Sequence, residues 1–317
     1  MVITGASSGI GRATALCFAG HGARLVLAAR GTEALDTLAT ACRKRGGKAV
    51  AVPTDVTDPE AVESLAARAV EEFGRLDVWV NNAAVSVFGR FTEIPLRDFQ
   101  RVLDVSVSGY VHGARAALPR LCGQGSGVLI NVASVVGEIS QPYTAAYSMA
   151  KAAVRALSVS LRSELRLDGI TGVSVCTVMP AAIDTPFFQH AANYTGRQVV
   201  AMPPVYTPQR AARAIVELAR RPRREVVVGP AGRFMVLLHK LAPGTMEAAM
   251  AVQVDRTHLS RRRRAPDSSG NLYEPSTGGR KASAEGGWHG RRRTARRRAF
   301  AGLLFAGAVV LLRKRIR

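Results

Sequence analysis

The chain has 317 residues, 47% of them hydrophobic, enough to bury one sizeable core with a tail to spare. Its formal net charge of +21 is uneven: residues 256–317 hold 17 Lys and Arg against 3 Asp and Glu, so two thirds of the excess sits in the tail and says little about the core. Cys17, Cys42, Cys122 and Cys176 form no C-x-x-C pair and sit in apolar segments, which excludes a disulfide scaffold and reads as reduced thiols of a cytoplasmic protein.

In chain order, apolar β-branched runs predict strands over 1–4, 23–29, 48–53, 76–81, 127–133, 172–179 and 225–229. Helix-period segments alternate with them at 9–20, 32–45, 59–73, 96–121, 144–168 and 208–221. This alternation implies an α/β fold, a parallel sheet of about seven strands covered by helices on both faces. Only Val2 and Ile3 precede the first turn, so the first strand looks clipped. No apolar leader follows residues 1–4. Residues 186–207 carry Phe, Pro, Tyr and Met without a period and are expected to form a mobile loop over a site. Residues 232–253 suggest one or two further helices broken at Pro243-Gly244. The expected organisation is a catalytic domain over 1–250, a basic low-complexity linker over 251–298, disordered from about 256, and a short apolar segment with Arg and Lys flanks over 299–317.

The wholly apolar run 299–312 spans about 21 Å as a helix, short of a hydrocarbon core of about 30 Å. An anchor in an anionic membrane surface is the preferred reading. A full span helped by snorkelling arginines, or a helix docking on protein, stands beside it. The Arg runs lack interleaved aromatics apart from Trp288, so nucleic acid is not an expected partner.

Thr4-Gly5-Ala6-Ser7-Ser8-Gly9-Ile10-Gly11 leaves the first strand and enters a helix. Glycines there let the backbone approach a pyrophosphate, and the helix start offers free N–H groups and a partial positive charge. The second strand ends Ala28-Ala29-Arg30, without the acid that would hold an adenosine ribose. Arg30, with Arg12 just past the glycines, suits a 2′-phosphate, so NADP(H) is expected over NAD(H). The alternative is a solvated Arg30 in an Arg-rich chain. Tyr147 and Lys151 lie four apart on a helix and share a face. Carbonyl chemistry needs a proton carrier, and an ammonium beside a phenol lowers its pKa toward the working range.

With Asp55-Val56, Asn81-Asn82-Ala83-Ala84, Ser134, Tyr147-x-x-x-Lys151 and Pro180 to Thr185, the order of motifs resembles the short-chain dehydrogenase/reductase family over residues 1 to about 230. The resemblance implies a Rossmann-type doubly wound parallel sheet and an NADP(H)-dependent alcohol/carbonyl oxidoreductase. By it, Ser134 orients the substrate oxygen, Tyr147 carries the proton, and Lys151 tunes Tyr147 and holds the nicotinamide ribose. Gly5, Ser7, Ser8, Gly9, Ile10, Gly11 and Arg12 would form the cofactor loop. Asp55 and Val56 would meet the adenine, Asn81 and Ala83 would flank the cofactor, and Pro180, Ile183 and Thr185 would face the nicotinamide. Two departures stand out. Ser106 occupies the place of an asparagine that holds a water in a proton relay, and Ala181 stands where glycine is usual. The family also implies a homodimer or homotetramer built through helices 96–121 and 144–168. The apolar loop (Phe187, Phe188, Met202, Tyr206) suggests a lipophilic substrate. A scaffold that binds cofactor without turnover, tethered to membrane or partner, is the rival reading, and Ser106 is what favours it.

Overall fold

The computed structural model describes residues 1–276 and 282–288. The first half alternates strand and helix: β1 (Val2–Thr4), α1 (Gly9–Ala19), β2 (Arg24–Ala29), α2 (Thr32–Lys44), β3 (Lys48–Pro53), α3 (Pro59–Phe73), β4 (Val78–Asn81) and a short β5 (Val87–Phe88). Next come α4 (Leu96–Leu103), α5 (Gly109–Gly123), β6 (Gly127–Val132), α6 (Ala145–Leu167) and β7 (Val173–Pro180). The rest holds α7 (Phe187–His190), β8 (Ala192–Asn193), β9 (Arg197–Val199), α8 (Pro208–Arg220), β10 (Glu225–Val228), α9 (Pro230–Leu241), α10 (Pro243–Thr257) and β11 (Leu259–Arg264).

The seven expected strands form one parallel sheet in the order β10-β7-β6-β4-β1-β2-β3. Strand side chains alternate between faces, and both faces are apolar. Ile3, Leu25, Leu27 and Ile130 pack with Leu35, Leu38 and Ile215 under α2 and α8. Val2, Val26, Trp79 and Leu129 pack with Val62, Leu65, Ala117 and Leu121 under α3 and α5. Replacing one such fully buried leucine by alanine costs about 2–5 kcal/mol, so these two layers hold the sheet edge that carries the cleft. Local signals set the helix ends. Asp58 caps α3 by accepting from the N–H groups of Glu60 and Ala61, Pro59 opens it, and Gly74 closes it at φ +78°.

Three expectations change. The helix foreseen over 96–121 is interrupted by a π-helical turn, Asp104–Ser108, which contains Ser106; such turns recur at functional sites. Residues 186–207 are not featureless: β5 pairs with β8, and β9 pairs antiparallel with β11. The disorder expected from 256 does not hold for the described residues. The boundary at 250 falls inside α10, and Leu259 and Leu272 are buried apolar anchors within an otherwise polar stretch. Composition averages hid these two leucines. The run 299–312 lies outside the described residues, and among those described no helix is long and apolar enough to cross a membrane.

Candidate functional site

A cleft of about 300 Å³ opens at the carboxyl ends of the central strands. In a doubly wound sheet ligands bind there.

Its first wall is the glycine loop. Gly5 sits at φ +62°, and a Cβ on it would lie 2.7 Å from the Ala83 Cα. A Cβ on Gly11 would overlap the Gly5 carbonyl, so the loop folds this tightly only with glycine at both places. Asn82 laces the loop to the end of β4, donating to the carbonyls of Thr4 (2.9 Å) and Gly5 (3.1 Å). The Thr4 hydroxyl accepts from the Asn82 and Ala83 N–H groups at 3.0 and 3.2 Å. Gly5, Ser7, Ser8, Gly9 and Ile10 line the cleft. Arg12 does not line it; its guanidinium braces the loop from behind through the carbonyls of Ser7 (3.4 Å) and Ala34 (3.3 Å).

At the far end Arg30, Asp55 and Val56 line the cleft. Asp55 accepts from the Thr57 N–H (3.0 Å), the Thr57 hydroxyl (2.8 Å) and Arg101 (2.8 Å). Burial pushes its carboxyl up, but these hydrogen bonds outweigh that and hold it below the usual range. Arg30 is not the solvated residue of the alternative reading. It donates to four backbone carbonyls of the C-terminal segment, Asn271 (2.6 Å), Leu272 (3.0 Å), Tyr273 (2.7 Å) and Glu274 (3.4 Å).

Asn81 departs from expectation. It is buried outside the cleft, where it accepts from the Trp79 indole (2.7 Å) and donates to Asn131 (3.0 Å) and the Tyr110 carbonyl (3.1 Å). Its neighbours Asn82, Ala83 and Ala84 line the cleft instead. Strand alternation carries the signal that was missed: with Val80 facing one layer and Asn81 the other, neither points along the strand into the cleft.

The cleft brings Ser134, Tyr147 and Lys151 together. The Ser134 hydroxyl donates to the Pro180 carbonyl at 3.4 Å and accepts from the Val136 N–H at 3.3 Å, and its proximity offsets part of the rise in the Tyr147 pKa. The Lys151 ammonium is 5.5 Å from the centre of the Tyr147 ring. It donates to the Val132 carbonyl (2.8 Å) and to the Tyr110 hydroxyl (3.0 Å), which itself donates to Val132 (2.8 Å). Tyr110 is a partner that the sequence reading missed. Burial pushes the Tyr147 phenol up and the Lys151 ammonium down to about 7. Ser106 is buried but tied to the backbone of Val85, whose N–H and carbonyl lie 3.3 and 3.4 Å away, and it does not line the cleft.

Pro180, Ile183 and Thr185 form the opposite wall. Beyond Tyr147 the cleft turns apolar, with Phe187, Phe188, Met202, Met235 and Met250. Sequence reasoning missed His258. It stacks edge-on against Phe88 and Phe188, and burial pushes its pKa down to about 4, so it is neutral at pH 7. Two buried hydroxyls lining this part, Ser86 and Thr144, have no partner in the described protein. Tyr143, just ahead of α6, is the one non-glycine among the described residues with positive φ (65°). Ala181 is not among the positive-φ residues, so alanine is accommodated there.

The short chain dehydrogenase family profile matches residues 1–195. The uncharacterized oxidoreductase YxnA of Bacillus subtilis is 36% identical over 290 residues, covering 91% of this chain and 81% of its own. An uncharacterized oxidoreductase of Listeria monocytogenes is 34% identical over 239 residues, 73% of this chain and 95% of its own. A short-chain dehydrogenase/reductase from Burkholderia phymatum, solved in complex with NAD, superposes with a TM-score of 0.71 at 30% identity, covering 77% of this chain and 93% of that one. An alcohol dehydrogenase from the archaeon Thermococcus sibiricus, complexed with 5-hydroxy-NADP, gives 0.62 at 29% identity, covering 71% and 94%. By motif order, sheet topology and these relatives, the chain belongs to the short-chain dehydrogenase/reductase family of oxidoreductases.

Proposed function

We propose that this oxidoreductase is NADP(H)-dependent and interconverts an alcohol and a carbonyl on a lipophilic substrate, with Tyr147 giving and taking the proton. The observation that carries the reading is the floor of the cleft. There the partly buried Tyr147 phenol stands beside Ser134, its ring centre 5.5 Å from a buried ammonium, and faces an apolar wall.

The cradle fits a nicotinamide dinucleotide. The space beside Gly5 and Gly9 and the start of α1 suit a pyrophosphate on Ser7, Ser8 and Ile10. Asp55 and Val56 would meet the adenine, Lys151 the nicotinamide ribose, and Pro180, Ile183 and Thr185 the nicotinamide. Relatives bind NAD in one case and a NADP derivative in the other, so the preference for NADP(H) rests on Arg30 and on the absence of an acid at the end of β2. When bound, the nicotinamide supplies or accepts the hydride.

The chain's own residues do the rest. In reduction, Ser134 donates to the carbonyl oxygen and polarises it, and the Tyr147 hydroxyl donates its proton to the alkoxide that develops. The phenolate left behind is stabilised by the Lys151 ammonium and takes a proton back from solvent. Burial raises Tyr147, the opposite of the lowering expected from Lys151, so it stays a phenol well past neutral pH, the form that reduction needs. Ser86 and Thr144 offer hydrogen bonds to a polar group on an otherwise apolar substrate.

The test is consumption of NADPH and of NADH by the purified protein over a panel of aldehydes, ketones, quinones and steroids. The reading expects NADPH oxidation on at least one lipophilic carbonyl. Tight cofactor binding with no turnover on any panel member would support a cofactor-binding scaffold instead.

A further inference from the structure

Two of the donors that a dinucleotide's phosphates would meet, the Gly9 N–H and the Arg30 guanidinium, are already taken by the chain itself. After β11 the backbone runs back over the cleft as a strap. Ser268 bridges Asn193, Leu272 is fully buried, and the Tyr273 hydroxyl donates to Asp98 at 2.8 Å. Here the carbonyls of 271–274 surround Arg30. Residues 282–288 then cross the start of α1. The Gly9 N–H, the first amide of that helix, donates to the Ser283 carbonyl at 3.0 Å. The Gly286 and Trp288 N–H groups donate to Asp184 at 3.0 and 2.7 Å, and the Trp288 indole donates to the Thr185 carbonyl at 3.1 Å. A Cβ on Gly286 would overlap that carbonyl, so this approach needs glycine.

We propose that the C-terminal strap, residues 265–276 and 282–288, is an internal competitor for the cofactor site, and that the dinucleotide enters by displacing it. The proposal rests on the dinucleotide reading of the cleft. Ser283 presents a carbonyl oxygen to a helix-start amide, where a pyrophosphate oxygen would otherwise accept. Four carbonyl oxygens converge on Arg30, where a 2′-phosphate would otherwise pair, and their partial negative charge repels a phosphate. A clasp that closed over bound cofactor would leave both groups free and aim its own donors at the phosphates. This strap does the reverse. It points acceptors at two cationic or electropositive places in the cleft, and its Gly286 and Trp288 amides turn away to Asp184.

Competition and clasping differ in sign. Where only the released form binds cofactor, the apparent Kd exceeds the intrinsic one by the inverse of the released fraction. A strap docked in about nine tenths of molecules weakens binding about tenfold.

The experiment is calorimetric titration of the full-length chain with NADP⁺ and with NAD⁺, in the wild type, Gly286→Val and Trp288→Ala. Gly286→Val forces the strap off by overlap, while Trp288→Ala removes its indole anchor without adding bulk. Thermal melts confirm that both variants fold, and either one suffices. The expected result is a Kd for NADP⁺ about tenfold lower in the variants, with wild-type Trp288 emission moving to longer wavelength as NADP⁺ binds. An unchanged or raised Kd overturns the competition, a raised one by making the strap a clasp. Failure of all three proteins to bind either dinucleotide overturns the dinucleotide reading itself, and the competition with it.

Discussion

Lys151 sits in an environment far from its ordinary one. Its ammonium is fully buried, no carboxylate among the described residues partners it, and two oxygens, from Val132 and Tyr110, accept from it. Burial lowers its pKa from 10.5 to about 7. The unfolded chain therefore holds this proton across pH 7 to 10.5 while the folded chain gives it up, and stability rises with pH in that window. Cys42, raised from 9.0 to about 11, begins to oppose it above pH 9. Denaturant midpoints should increase from pH 7 to 9, the unfolding free energy rising with a slope approaching about 1.4 kcal/mol per pH unit. Lys151→Met should flatten the part above pH 8. A midpoint that falls over this range would mean that Lys151 stays charged in the fold. The helix spacing of Tyr147 and Lys151 was legible in the sequence because four residues make one turn. Their protonation was not, since it is set by Val132, Tyr110 and Ser134, which arrive from other elements.

At the scale of elements, the sheet was readable because both of its faces are buried, which turns each strand into an apolar run bounded by glycine or polar residues. The break in the helix over 96–121 was not. A π-helical turn has no composition of its own, and Ser106 gains its Val85 partner only once the loop after β4 is in place. The polar bridge between β4 and β6 is another such case. Trp79, Asn81 and Asn131 form a chain that ends on Ser158 of α6 at 2.9 Å, tying two central strands to the helix that carries Tyr147. Asn81→Leu would strand the Trp79 indole and one face of Asn131 in the core. The expected cost is about 1–3 kcal/mol for each stranded group, read as a lowered denaturant midpoint with an unchanged m-value. A change under about 0.5 kcal/mol would show that the bridge is dispensable. The glycine loop depends on Asn82, the neighbour, and not on Asn81.

Across the whole molecule, the body and the C-terminal segment form one packed unit in the described residues, because isolated anchors outweigh polar composition. Leu259 and Leu272 are buried, Arg197 binds the carbonyls of Asp255 (2.8 Å) and Leu259 (2.9 Å), and Arg101 reaches Leu272 at 3.1 Å. Counting charges could not reveal this, since Arg30, Arg101 and Arg197 each hold backbone carbonyls of the C-terminal segment, contacts that leave no trace in a charge balance. Leu96, Met149, Val159 and Leu167 remain exposed on α4 and α6, the helices through which the family resemblance implies pairing of protomers.

The whole arrangement converges on one phenol at the end of one cleft. The direct test is Tyr147→Phe in the full-length chain, with carbonyl turnover and NADP⁺ affinity measured side by side. The account predicts that the variant folds, binds NADP⁺ within about twofold of wild type and loses turnover by a factor of about 10² to 10⁴, the usual weight of a positioned acid. Turnover within a few-fold of wild type would contradict it and move the proton to another group in the cleft.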